Sequence, residues 1–174
     1  MSFELRALRF DNPDAPELAE VAALLNTEWS GFSPALLFAK YGGNPRAPEG
    51  AAHFVGAYAD GALVAANGYI PARYRAGGSS LLGVQDCDSF VRSDWRGKGV
   101  FSRIVAWSEQ HYRAAGCDFL YGFPNENSFR AYEKAGWTIG RLVDYVAKPM
   151  VPFIERSILG AAARKGYVIE PVGL

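Results

Sequence analysis

Between residues 91 and 103 the chain reads Val-Arg-Ser-Asp-Trp-Arg-Gly-Lys-Gly-Val-Phe-Ser-Arg, a strand-like run that passes through a glycine-containing turn into an amphipathic helix. Gly97 and Gly99 allow the backbone to approach a ligand closely and to turn its N–H groups inward. A helix starting near Gly99 brings unpaired N–H groups and the positive end of its dipole to the same place. Arg92, Arg96, Lys98 and Arg103 add positive charge. Together they suit an anion, most naturally a phosphate or pyrophosphate. A plain strand-to-helix turn with a solvated basic edge accounts for the same residues. The spacing is not that of a Walker loop, and no glycine stands where a dinucleotide fingerprint needs its third one, so ATP and NAD are poorly supported.

The elements that must position this turn follow from periodicity and breakers. Phe3 to Phe10 alternates apolar with charged residues and predicts a half-buried strand. Asp14 and Glu17 have capping-box spacing ahead of Leu18, Val21, Ala22 and Leu25, which share one helical face. A second short helix is expected from Ser33-Pro34 to near Gly42-Gly43, then a loop over 42–51. Residues 53–59 and 62–70, joined by Asp60-Gly61, predict a hairpin, and a turn at 75–79 leads into a long strand from Leu81 to Val91. Phe101, Ile104, Val105, Ser108, Tyr112 and Ala115 repeat at helical spacing and Gly116 closes that helix. A short buried strand over 117–123, a helix over 125–135 and a strand over 137–146 follow, with a helix at 153–164 and a last strand at 167–172 in the tail. This order of hairpins with one strand–helix–strand crossover predicts an α+β domain with a mixed sheet.

At 174 residues, with 18 Lys+Arg against 18 Asp+Glu, the chain is sized for one domain and formally neutral. A broadly basic nucleic-acid surface is not expected. No apolar run approaches the ~20 residues of a membrane span, and the charged start, Phe3-Glu4-Leu5-Arg6, lacks a signal-peptide pattern. Two cysteines, Cys87 and Cys117, have no metal-like spacing and His53 and His111 have no ligand partners, so no metal is expected. A cytoplasmic location is the expectation.

Asp94-Trp95-Arg96-Gly97-Lys98-Gly99-Val100-Phe101 resembles the acyl-CoA pyrophosphate loop of the GNAT superfamily of N-acetyltransferases, Arg/Gln-x-x-Gly-x-Gly/Ala. Downstream, the segment from Asn125 through Ser128 and Tyr132 to Gly136-Trp137 is similar to that family's Asn-x-x-Ala-x-x-x-Tyr-x-x-x-Gly-Phe. The motifs span about residues 80–140. Phe101 departs from the pattern, which has Gly or Ala there; its N–H is retained and its ring is expected to turn toward the core rather than the cofactor.

The resemblance implies a mostly antiparallel mixed sheet of six or seven strands, splayed between the fourth and fifth, with about four helices. It implies a single acyl-CoA N-acyltransferase domain over 1–174: an acceptor-side half to about 75, an acyl-CoA half over about 80–148, and an extension over 149–174. Acetyl-CoA would lie in the splay as co-substrate. Phe90 and Val91 would offer main-chain groups to pantetheine, Arg96, Gly97, Lys98, Gly99, Val100, Phe101 and Ser102 would cradle the pyrophosphate, and Asn125 with Ser128 would line the pantetheine path. Tyr132 would stand near the thioester sulfur as general acid, although it also fits a core aromatic paired with Phe129. Asp86 and Asp88 alternate on one predicted strand face, and either would serve as base or else solvate that face. The aromatics Trp29, Phe32, Phe38 and Tyr41 fit an acceptor pocket and core packing equally.

The implied reaction moves acetyl to a primary amine of a small molecule, by direct transfer because neither Cys lies in a motif. The Phe-Pro-Asn-Glu-Asn-Ser run is similar to members that modify sugars, so an amino sugar is preferred over an aminoglycoside, polyamine or protein amine. A catalytically silent CoA-binding module is the alternative. Family members often form dimers, so a homodimer is a candidate assembly.

Overall fold

A computed structural model of the chain describes residues 2–45 and 47–138. The strand over 137–146, the tail elements and the extension over 149–174 fall wholly or mainly outside these residues. Strand β1 (Glu4–Leu8) leads into helix α1 (Pro16–Leu25) and the short α2 (Pro34–Leu37), which continues as a wider π-type turn over Phe38–Gly42. Strands β2 (Phe54–Ala59), β3 (Ala62–Ala76) and β4 (Ser79–Val91) form a meander. A 3-10 turn at Ser93–Trp95 precedes α3 (Val100–Ala114), then β5 (Phe119–Gly122) and α4 (Glu126–Lys134).

Among the described residues the sheet has five strands in the order β1-β2-β3-β4-β5, antiparallel throughout except for the parallel β4–β5 pair. The expected α+β class and mixed sheet are present. The two chain reversals follow from turn residues that tolerate left-handed backbone: Asp60-Gly61 (φ 48° and 79°) and Gly77-Gly78 (φ 56° and 85°). β3 runs six residues beyond its expected end at Ile70, because this second turn holds Arg73 to Ala76 in register with Ser79 to Leu82.

The sheet is covered on both faces. Leu18, Val21 and Leu25 of α1 pack with Phe54, Tyr58 and Phe90 on one side. Val100, Ile104 and Tyr112 of α3 pack with Val55, Val64, Tyr69 and Val84 on the other. Each fully buried apolar side chain contributes roughly 1.5–3 kcal/mol. The expected capping box does not form. Pro16, with its preset φ, is the first helical residue, so Ala15 becomes the N-cap and Asp14 falls outside, its N–H bonded to Asn12 Oδ1 at 3.0 Å. β5 is half-buried along its length rather than fully buried.

Candidate active site

The β4–β5 pairing ends at Asp86 opposite Gly122, while β4 continues to Val91. From Cys87 onward β4 therefore has no β5 partner, and the two strands part there. On its other side β4 keeps its pairing with β3 through a bulge: Cys87 faces Gly68 and Phe90 faces Ala66, leaving Asp88 and Ser89 opposite Asn67. Asp88 absorbs the extra residue with φ 50°, in the left-handed region. The bulge breaks the side-chain alternation. Asp86 and Asp88 do not share a face, contrary to the two-residue spacing.

Asp86 is 4% exposed, and among the described residues every polar contact it makes is to a neutral group. The Tyr132 hydroxyl donates to Oδ1 at 2.6 Å, Asn67 Nδ2 donates to Oδ2 at 2.8 Å, and Ser89 Oγ lies 3.3 Å from Oδ1. Burial pushes its carboxyl up to about 6, against the downward pull of the Tyr132, Asn67 and Ser89 hydrogen bonds. Burial, then the charge of and hydrogen bond to Asp86, hold the Tyr132 phenol well above its ordinary value. The ring of Tyr132 is held by Phe101, edge-on with centroids 5.1 Å apart, and by Trp137 at 4.7 Å.

Asp88 points to another set of groups. Its Oδ2 accepts from Lys40 Nζ at 2.7 Å and from the Tyr41 hydroxyl at 2.6 Å. Tyr41 reaches it across Gly68, where a Cβ would lie 2.6 Å from the tyrosine oxygen. Asp88 thus ties the α2 region to the bulge.

Around these groups lies a cavity of about 630 Å³, lined by Asp86, Asp88, Phe90, Val91, Arg96, Phe101, Asn125, Ser128 and Tyr132 together with Glu28, Trp29 and Ser89. Gly97, Lys98, Gly99, Val100 and Ser102 lie outside this lining. Gly97 and Gly99 have φ 73° and 75°, and Gly99 is the N-cap of α3, with no side chain to cap its first turn. Val100 sends its side chain into the core. Arg96 donates to the Val91 carbonyl at 2.9 Å and pairs with Glu28, and Lys98 donates to the Asp94 carbonyl at 2.6 Å. Asn125 and Ser128 bond each other at the start of α4, with Ser128 N–H donating to Asn125 Oδ1 at 3.1 Å.

Residues 14–140 match the family described as acetyltransferase (GNAT) domain. The chain belongs to the GNAT acetyltransferase family. Its fold is similar to that of glucosamine-6-phosphate N-acetyltransferase from Arabidopsis thaliana, at 16% identity and TM-score 0.64 over 87% of this chain and 100% of that one. It is also similar to AAC(6')-Iy in complex with a CoA-linked bisubstrate analogue, at 17% identity and TM-score 0.66 over 86% and 99%. Ribosomal-protein-alanine N-acetyltransferase from Brucella melitensis biovar Abortus 2308 is a third, at 19% and 0.64 over 86% and 100%. A search of curated proteins found no match.

In this acetyltransferase the ring of Phe101 lines the cavity and braces Tyr132, instead of turning into the core as expected. Trp29 also lines the cavity, stacked edge-on against Phe90 at 5.5 Å, whereas Tyr41 is buried beneath Asp88. His53 and His111 are satisfied by backbone N–H groups of Phe10 and Ala52. Sequence reasoning missed Asn67, Ser89 and Glu28. Asn67 is the one with a visible signal: a polar residue directly after the apolar run Leu63-Val64-Ala65-Ala66, within one expected strand.

Proposed function

We propose that the protein transfers an acetyl group from acetyl-CoA to a primary amine of a small molecule, by direct attack within a ternary complex. The observation that carries this reading is a buried Asp86–Tyr132 pair at the point where β4 loses its β5 partner. The free β4 edge offers main-chain groups to an extended pantetheine arm in the manner of an added strand. The glycine turn and the start of α3 suit the pyrophosphate, and Arg96 and Lys98 supply charge beside it. Phe90, Val91, Asn125 and Ser128 flank the pantetheine path.

In this mechanism Asp86 takes one proton from the substrate ammonium, directly or through water. The neutral amine attacks the thioester carbonyl and the C–S bond breaks as the tetrahedral adduct collapses. The leaving thiolate takes the Tyr132 proton, and the proton on Asp86 passes to the Tyr132 oxygen. The second nitrogen proton leaves to solvent, so the products are amide, CoA thiol and one released proton. Neither carboxylate nor phenol is consumed. Asp88, already engaged by Lys40 and Tyr41, is assigned to the acceptor side rather than to proton transfer.

The lining favours an amino sugar over a polycation. Glu28 is matched by Arg96 and Asp88 by Lys40, leaving Asp86 as the carboxylate for the reacting ammonium. Exposed Trp29 and Phe123 at the cavity offer apolar faces of the kind a sugar ring stacks on. Both cysteines are free thiols, which suits a reducing cytoplasm. Among the described residues no helix is long and apolar enough to cross a membrane.

Thermal unfolding with acetyl-CoA, CoA, ATP and NAD in parallel tests the co-substrate. At about 100 times its Kd, a ligand adds ~2.7 kcal/mol of stability. Stabilisation by acetyl-CoA or CoA and not by ATP or NAD is expected, followed by amine-dependent release of free thiol. CoA binding without thiol release on any amine would instead favour a silent binding module.

A further inference from the structure

We propose that Asn67 is a positioning residue that occupies Asp86 Oδ2 and so dedicates Oδ1 to proton exchange with Tyr132. The inference rests on the acetyl-transfer mechanism proposed above. Asn67 is fully buried on β3, directly opposite the bulge, where Asp88 and Ser89 together face it. Its amide is committed on both sides. Nδ2 donates to Asp86 Oδ2 at 2.8 Å and to the Tyr69 hydroxyl at 2.5 Å, and Oδ1 accepts from Ser89 Oγ. Turning the amide over would set its carbonyl against the carboxylate and its NH₂ against the Ser89 donor, so one orientation is fixed.

Behind Asn67 the network leads nowhere. The Tyr69 hydroxyl lies 2.6 Å from Ser108 Oγ, and Ser108 donates to the Ile104 carbonyl at 2.8 Å, a backbone acceptor inside α3. Oδ2 of Asp86 therefore faces an amide, which neither gives up nor takes a proton near neutral pH. Oδ1 faces the Tyr132 hydroxyl at 2.6 Å and Ser89 Oγ at 3.3 Å, and Tyr132 lines the cavity. Among the described residues, the titratable groups around the carboxylate are Tyr69 from β3, Tyr112 from α3, Tyr132 from α4 and its own neighbour Cys87, each shifted upward mainly by burial and each neutral. A proton reaching Asp86 thus settles on Oδ1 and has Tyr132 as its next stop. The bulge makes this possible, because it brings the Ser89 hydroxyl to the Asn67 amide while the Asp88 carboxylate bonds Lys40 and Tyr41.

A carboxyl-carbon NMR titration of Asp86 in the full chain, wild type against Asn67→Leu, tests the proposal. Loss of a donor to the ionised form should raise the Asp86 midpoint by about 1–2 pH units. The acid limb of kcat/KM should move up equally, with activity recovered at high pH and the acetyl-CoA Kd changed by less than about twofold. An unmoved midpoint, or a rate loss equal at every pH, overturns the proposal and leaves Asn67 a packing residue. If Asn67→Leu does not fold, Asn67→Ala removes the same donor with less bulk and should raise the midpoint in the same direction; no rise there overturns it too. Should no amine be acetylated at any pH, the transfer reaction itself fails, and the titration alone still decides whether Asn67 governs Asp86.

Discussion

The Tyr132 hydroxyl donates to Asp86 Oδ1 at 2.6 Å, although the two residues sit 46 positions apart on α4 and β4. In the proposed mechanism the pairing makes one proton path of two groups that would otherwise act separately. It also explains how Tyr132 is both a packed aromatic, gripped by Phe101 and Trp137, and a residue of the cavity lining. Packing fixes the ring, and the hydrogen bond aims its oxygen.

Tyr132→Phe keeps the ring and its contacts while removing the proton. The expected result is a fall in kcat of about 10²-fold or more, the usual worth of a positioned acid. The acetyl-CoA Kd, measured by calorimetry, should stay within about twofold. A variant that loses affinity but keeps its maximal rate would remove Tyr132 from proton transfer.

Asp86 makes a second prediction through stability. Its folded value of about 6 lies above the ordinary 3.8, so between those pH values the folded chain binds more protons than the unfolded one. Stability linked to this group is therefore present at acid pH and lost as pH rises through about 6. The difference amounts to about 3 kcal/mol at neutral pH, taking 1.36 kcal/mol per unit. Asp86→Asn, which carries no charge to bury, should melt higher than wild type at pH 7.5 and close to it near pH 4. The same variant should lose acetyl transfer together with the acid limb near pH 6. Thermal melts at the two pH values check the sign.

Much of this was readable beforehand, and the exceptions share a cause. Turn residues at Asp60-Gly61 and Gly77-Gly78 and the heptad-like face of α3 are local signals, and their elements stand where those signals put them except that β3 runs on from Ile70 to Ala76. The glycine turn and Tyr132 were legible through motif resemblance. The bulge was not, because it arises from pairing between β3 and β4, and it is what separates Asp86 from Asp88. Asn67 and Ser89 were missed for the same reason: their roles depend on cross-strand partners 19 and 22 positions distant from Asn67. The failed capping box at Asp14 is a smaller case, in which Pro16 alone set the helix start.

The basic turn is testable separately from the chemistry. Arg96 and Lys98 are exposed and now spend their donors on Glu28, Val91 and Asp94, contacts worth little at a solvated surface. Arg96→Ala with Lys98→Ala should leave the melting temperature nearly unchanged and weaken CoA binding by about tenfold, ~1.4 kcal/mol. The loss should shrink as salt rises, since screening removes the same charge interaction in wild type. An unchanged Kd at low salt would dismiss these two side chains from anion binding.

Gly68 offers the last test, because it separates the acceptor side from the proton path. A Cβ at this position would meet the Tyr41 oxygen at 2.6 Å and Phe54 at 2.9 Å, so Gly68→Ala must push Tyr41 away from Asp88. Overpacking of this kind costs about 1–3 kcal/mol, seen as a lowered melting temperature. Asp88→Asn gives the matched chemical change without the steric one. Both variants should raise the acceptor KM while leaving the acid limb near pH 6 in place, since Asp86 keeps its own partners. If instead Asp88→Asn abolished that limb, the base would be Asp88, and the bulge would serve to present it rather than to set it apart.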